Sequence, residues 1–200
     1  MIRRFGFLVV FAVILMAFKL DSGYKPGDKV TDFNLKNIDG TYISLNGLGD
    51  VKGAILVFTC NTCPYSKMYE GRIIDLHKKY ERKGYPVIAI QPNDPGKSPG
   101  DSFEKMQSRA KSKKYPFPYV WDETQEITKA YGATNTPHVY VVQKEKNDFV
   151  LKYVGAIDDN ARSGEAANKK YVESAVDQLL EGGDVTTGET KAIGCGIKWK

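Results

Sequence analysis

The 200-residue sequence has no internal repeat and no low-complexity tract, and it carries only two histidines and three cysteines. It also lacks a nucleic-acid signature, because its basic residues are interspersed with Asp and Glu and no arginine–aromatic cluster marks a strand-binding face. The formal charge of +5 is weaker than it looks, since Arg3, Arg4 and Lys19 lie in the first twenty residues, which contain no acid. His77 and His138 are too few to build a metal centre by themselves. What remains is one domain: 200 residues with 42% hydrophobic content suffice for one real core and are too few for two.

Residues 1–20 read as an export signal. Met1 to Arg4 form a basic lead into the apolar run Phe5 to Phe18, and polar, turn-rich residues follow from Lys19 to Lys29. Ala17 is the best small residue near the end of the run, and no Cys stands there for lipid attachment. Fourteen residues, 5–18, are short of the roughly 17–25 that a spanning helix needs. A cleaved signal is the expectation, and an uncleaved membrane anchor is the open alternative. Either places the globular part in an oxidising, periplasmic or extracytoplasmic compartment, where dithiol chemistry needs an external electron source.

The chain is organised around Cys60-Asn61-Thr62-Cys63-Pro64. This stretch follows the apolar run Ala54 to Phe58 and precedes a helical pattern. A thiol between a buried strand and a helix start feels the unpaired N–H groups and positive pole of the helix, which favour thiolate. Cys60 is therefore expected as nucleophile, with a pKa in the roughly 3.5–7.5 range of such motifs. Cys63, about one helical turn on, is placed to resolve a mixed disulfide. A static disulfide and half a zinc site are the competing readings.

Other elements follow in order. Thr31–Leu35 and Thr41–Leu45 alternate around Asp39-Gly40 and predict a hairpin. Ser66–Lys83 carries Met68, Ile73, Ile74, Leu76 and Tyr80 at helical spacing, with Gly84 as the stop. Pro86–Ile90 is a second buried strand, and 91–100 is a loop too rich in Pro and Gly to be anything else. A helix over Ser102–Lys114, capped by Asp101 or Ser102, comes next. It is followed by a strand near Tyr119–Trp121 and a brief helix over Glu123–Tyr131. The strands Val139–Val142 and Phe149–Val154 form an antiparallel pair, and a helix over Tyr171–Leu180 closes the pattern. This is an α/β domain with a mixed sheet.

The order of elements and four segments resemble a known family. The segments are Cys60–Tyr65, Tyr131–His138, Tyr153–Asn160 and Gly194–Trp199. Together they resemble thioredoxin-like proteins of the redoxin branch, the alkyl hydroperoxide reductase and thiol-specific antioxidant (AhpC/TSA) type, over residues 27–200. The resemblance implies a thioredoxin-like fold: a central mixed β-sheet flanked by helices, with an N-terminal β-hairpin. It also implies a cis Pro137 facing the dithiol. The backbone of Thr136 then offers an edge on which an extended partner segment can add as a short strand, with Pro64 bordering the same surface.

The departures from the family pattern matter as much. No buried acid precedes the dithiol in Ala54–Phe58, so Cys63 must lose its proton through water or another polar group. The Pro-x-x-x-Thr-x-x-Cys arrangement of redoxin peroxidases is absent: Thr59 immediately precedes Cys60 and no proline stands upstream in that strand. The expectation is thus an exported thiol–disulfide oxidoreductase with protein disulfide and dithiol partners, an upstream electron donor, and no cofactor or resident metal. Cys195 and His138 are auxiliary candidates, Cys195 as a second resolving thiol or a bland free cysteine. Lys67 and Arg72 are candidates to hold a thiolate. His77 is expected to be solvated or half-buried, and Asp158 and Asp159 to turn the chain. Peroxide reduction through a Cys60 sulfenic acid and a copper- or zinc-binding protein using Cys60, Cys63 and His138 as soft ligands are the alternatives.

Overall fold

The computed structural model describes residues 23–200, so the expected signal or anchor over residues 1–20 lies outside the described residues. No helix among the described residues is long and apolar enough to cross a membrane. In chain order the strands are β1 (Leu35–Asn37), β2 (Tyr42–Ile43), β3 (Gly53–Phe58), β4 (Val87–Gln91), β5 (Tyr119–Trp121), β6 (Asn135–Thr136), β7 (His138–Glu145), β8 (Asp148–Gly155) and β9 (Cys195–Gly196). The helices are α1 (Pro64–Tyr80), α2 (Phe103–Lys113), α3 (Glu126–Tyr131) and α4 (Tyr171–Leu180). Seven strands form one sheet in the order β2-β1-β5-β4-β3-β7-β8, while β6 and β9 pair separately. The β3–β4 and β4–β5 pairs are parallel and the others antiparallel, which is the expected mixed sheet.

The sheet is covered on both faces because its central strands are apolar throughout. Along β3, Ile55 and Val57 point to the face packed by α1, α2 and α4, where Ile73, Leu76, Tyr80, Met106 and Val176 meet them. Ala54, Leu56 and Phe58 point to the other face, among Phe33, Tyr131, Tyr140 and Ile197. Only glycine fits at position 53, where a Cβ would lie 2.2 Å from the Val142 carbonyl oxygen and 2.3 Å from the Tyr85 ring.

Most expected elements stand, and the differences have local causes. The N-terminal hairpin exists, but its first strand begins at Leu35 instead of Thr31. The Asp32 carboxylate accepts the N–H groups of Phe33 and Leu45, each at 2.8 Å, and so replaces the ladder there. On α1 the buried face holds Tyr69, not Met68, which is 41% exposed. Neither Asp101 nor Ser102 caps α2 with its side chain: Ser102 occupies the N-cap without a side-chain bond, and Asp101 is turned elsewhere. The pair β6–β9 was not expected.

Leu56 is fully buried between β4 and β7. Leu56→Ala should therefore cost about 2–5 kcal/mol, read as a lowered urea midpoint at unchanged slope. Met68→Ala should stay within about 0.5 kcal/mol. Equal losses at the two positions would contradict this packing.

Candidate active site

β3 stops at Phe58, and Thr59 to Thr62 carry the chain to α1, whose N-cap is Cys63 and whose first residue is Pro64. Proline suits that position because its missing N–H would be unpaired there anyway. Pro64 is exposed, whereas Cys60 and Cys63 are both buried thiols. The Cys60 sulfur lies 3.2 Å from the Thr136 hydroxyl and 3.9 Å from that of Thr62. The Cys63 sulfur lies 3.1 Å from the Thr136 carbonyl oxygen, which accepts its proton in the thiol form. The two sulfurs thus lie against the same residue, one on its hydroxyl and the other on its carbonyl. The Thr136–Pro137 peptide bond is cis, as the resemblance implies.

The pair divides its charge unequally. Cys63 is drawn down to about 4, first by the hydrogen bond from Cys60 and then, against burial, by the Cys195 thiol and the N–H groups of Ser66 and Cys195. The Cys60 thiol is pushed far up, first by its hydrogen bond to Cys63, then by burial and the Asp101 carboxylate, with the Thr136 hydroxyl and the Cys63 N–H acting against them. The two thiols titrate as one coupled pair, so the charge of the first step is shared between Cys60 and Cys63. With Cys63 as N-cap, the unpaired N–H of Ser66 in the first turn adds a donor to that sulfur.

Asp101 is the residue that sequence reasoning missed. It is fully buried and accepts five hydrogen bonds: from the N–H groups of Asn61 (2.7 Å) and Thr62 (3.1 Å), the hydroxyls of Thr62 (2.8 Å) and Ser98 (2.6 Å), and the Asn93 amide (2.8 Å). The turn between the cysteines is held by this carboxylate. Its sequence signal was ambiguous, because Asp just before a helix in a Pro- and Gly-rich loop reads as a cap.

Of the expected site residues, Cys60, Cys63, Thr136, Pro137 and Cys195 converge. Cys195 sits on β9 directly opposite Thr136. His138 packs on Tyr140, with ring centroids 4.8 Å apart, and burial drops its pKa to about 4. His77 is buried, correcting the solvated or half-buried reading, and its Nδ1 accepts the Val87 N–H at 3.2 Å. Arg72 does not face the dithiol. It binds Asp158 at 2.5 Å and the carbonyls of Asn160 and Ala161, lying over the Tyr69 ring. Lys67 is exposed. Asp158 turns the chain by accepting the Asn160 N–H, and Asp159 accepts that of Asn168. Among the described residues no group of three or more His, Cys, Asp or Glu side chains is placed to hold a metal ion. The soft-ligand set of Cys60, Cys63 and His138 is therefore not assembled.

Two measurements check this electrostatic arrangement. Thiolate absorbance at 240 nm in the reduced protein should show one thiolate that persists at neutral pH and disappears only as the pH falls toward 4. Cys63→Ser should abolish that step; a first step near the ordinary thiol value of about 8.5 would contradict it. Asp101→Asn should cost roughly 1–3 kcal/mol by disrupting buried hydrogen bonds. It should also lower the pH at which the second thiolate appears, since the anion that opposes Cys60 ionisation is gone. An unshifted second step would sink the role given to Asp101.

Comparison with known proteins agrees with this fold. No curated protein matches the chain. An uncharacterized conserved protein from Geobacillus kaustophilus is 37% identical over 88% of this chain and 92% of its own, with a TM-score of 0.78. A hypothetical protein, SMc02350, from Sinorhizobium meliloti 1021 is 30% identical over 89% of this chain and 96% of its own, with a TM-score of 0.81. The peroxidoxin BcpB from Mycobacterium tuberculosis shares the fold at 19% identity, over 78% of this chain and 94% of its own, with a TM-score of 0.56. The AhpC/TSA family profile matches residues 26–155. With its thioredoxin-like sheet and the Cys60–Cys63 C-x-x-C motif, the chain belongs to the AhpC/TSA redoxin family.

Proposed function

We propose that the protein is an exported thiol–disulfide oxidoreductase that exchanges disulfides with protein partners through Cys60 and Cys63. The observation that supports this most is the joint anchoring of both sulfurs on Thr136, beside cis Pro137. Loss of one proton from the coupled pair leaves Cys60 as thiolate, with the Thr136 hydroxyl and the Cys63 N–H as donors. Cys60 attacks one sulfur of a partner disulfide, the partner's other sulfur leaves as thiolate, and a mixed disulfide forms. Cys63 then attacks the Cys60 sulfur, releasing the partner as a dithiol and leaving the Cys60–Cys63 disulfide. An upstream electron donor returns the pair to dithiol. Residues 1–20 deliver the domain to an extracytoplasmic compartment, by cleavage or as an anchor through residues 5–18.

The family match leaves peroxide reduction as a second reading. In that chemistry Cys60 would become a sulfenic acid, but no upstream proline or spaced threonine shapes a peroxide pocket around it. Insulin or a model disulfide should be reduced by the dithiol form, with activity lost in Cys60→Ser. In Cys63→Ser the mixed disulfide on Cys60 should accumulate. Absence of disulfide exchange by the reduced wild type, together with rapid turnover of hydrogen peroxide, would replace this reading with the peroxidase one.

A further inference from the structure

The last strand of the chain lies on the edge that a partner segment would use. β9 runs antiparallel to β6, with Cys195 opposite Thr136 and Gly196 opposite Asn135. Directly opposed residues of an antiparallel pair project their side chains to the same face, with Cβ atoms roughly 4.5–5.5 Å apart. The Thr136 hydroxyl reaches the Cys60 sulfur, so the Cys195 side chain faces the dithiol too, and the Cys63 and Cys195 thiols are close enough to shift each other's titration. The approach is close enough to demand glycine before the cysteine. A Cβ on Gly194 would stand 2.2 Å from the Thr136 carbonyl oxygen and 3.1 Å from the Pro137 nitrogen.

The tail is also fastened on both sides of Cys195. The Asn135 amide donates to the Gly194 carbonyl at 3.1 Å, and the Ile197 N–H donates to the Thr134 carbonyl at 3.1 Å. The Ile197 side chain is buried in the core on that face. The Asp94 N–H donates to the Lys198 carbonyl at 2.8 Å, and the Lys198 N–H to Asn93 Oδ1 at 2.9 Å. Gly194-Cys195-Gly196 therefore sits as an extended, cysteine-bearing substrate segment would.

We infer that β9 is an internal substrate strand whose Cys195 exchanges with the dithiol, so that the oxidised protein interconverts between Cys60–Cys63 and Cys63–Cys195 disulfides. This rests on the reading that the Asn135–Thr136 edge is where partner segments dock. In the exchange the Cys195 thiolate attacks the Cys63 sulfur of the Cys60–Cys63 disulfide. The Cys60–Cys63 bond breaks as the Cys63–Cys195 bond forms, and Cys60 leaves as thiolate and takes up the proton that Cys195 gave to solvent. No electrons are gained or lost. The product is an oxidised protein in which Cys60 is again free to react, and an external partner reaches the same edge by displacing β9.

The test uses the full chain with Cys60→Ser, oxidised with diamide, then alkylated and mapped without reduction. Cys63 and Cys195 should be joined within one chain, their alkylation falling about tenfold, and Cys60→Ala should give the same bond. Adding Gly194→Val, which cannot sit against the Thr136 carbonyl, should restore alkylation while a thermal melt shows the domain still folded. Persistent alkylation of Cys63 and Cys195 in both Cys60 variants, linkage only between chains, or an internal bond indifferent to a folded Gly194→Val would each overturn the inference. Insulin reduction by the wild type separates the two readings. Exchange without the Cys63–Cys195 bond removes only this inference, whereas the bond without exchange removes only the oxidoreductase reading.

Discussion

The carboxylate of Asp101 holds the active-site region together. A charged or polar group taken out of water is costly unless hydrogen bonds replace the lost hydration, and Asp101, with no solvent exposure, receives five. Those bonds come from two stretches far apart in sequence, the turn between the cysteines and the loop after β4. The loop is tied further, because the Gln91 amide donates to the carbonyls of Asn93 and Asp101 at 3.1 and 2.7 Å, and the Asn93 N–H donates back to Gln91 Oε1. Asn93 in turn accepts the Lys198 N–H. Dithiol turn, loop and C-terminal tail are one hydrogen-bonded unit with a single buried acid at its centre.

That acid also shapes the redox chemistry. No carboxylate precedes the dithiol in β3, but a buried anion is present all the same, brought by the loop to the N–H groups of Asn61 and Thr62. Its field opposes a charge on Cys60, while the first turn of α1 and the tail supply donors to Cys63. Both effects bear on how the coupled pair shares its first negative charge.

The parts legible in the sequence were those with local signatures. Continuous apolar runs marked β3 and β4, Gly84 and Gly132 stopped their helices in left-handed backbone, and the C-x-x-C and Thr136-Pro137 pairs stood in the right order. The illegible parts depend on long-range pairing. Asp101 contacts Asn61 and Thr62 across about forty residues of chain, and no spacing rule connects them. Tyr69 took the buried place expected of Met68 because its hydroxyl finds Asp158 and its ring carries the Arg72 guanidinium. A hydropathy pattern ranks the thioether above the phenol and has no knowledge of those partners.

β9 is the element whose stability and position differ most in kind from the rest. The seven-stranded sheet does not include it, and a two-residue strand on a two-residue partner is marginal by itself. What keeps it in place is the Asn135 amide on the Gly194 carbonyl before the cysteine, and Ile197 in the core with the Lys198 backbone on the Asn93 loop beyond it. Segments that open locally are drawn from the low end of local stability, and this one combines a two-residue pairing, a close glycine contact and a thiol facing the dithiol. The burial that secures the tail and the thiol that faces the dithiol lie within three residues of each other.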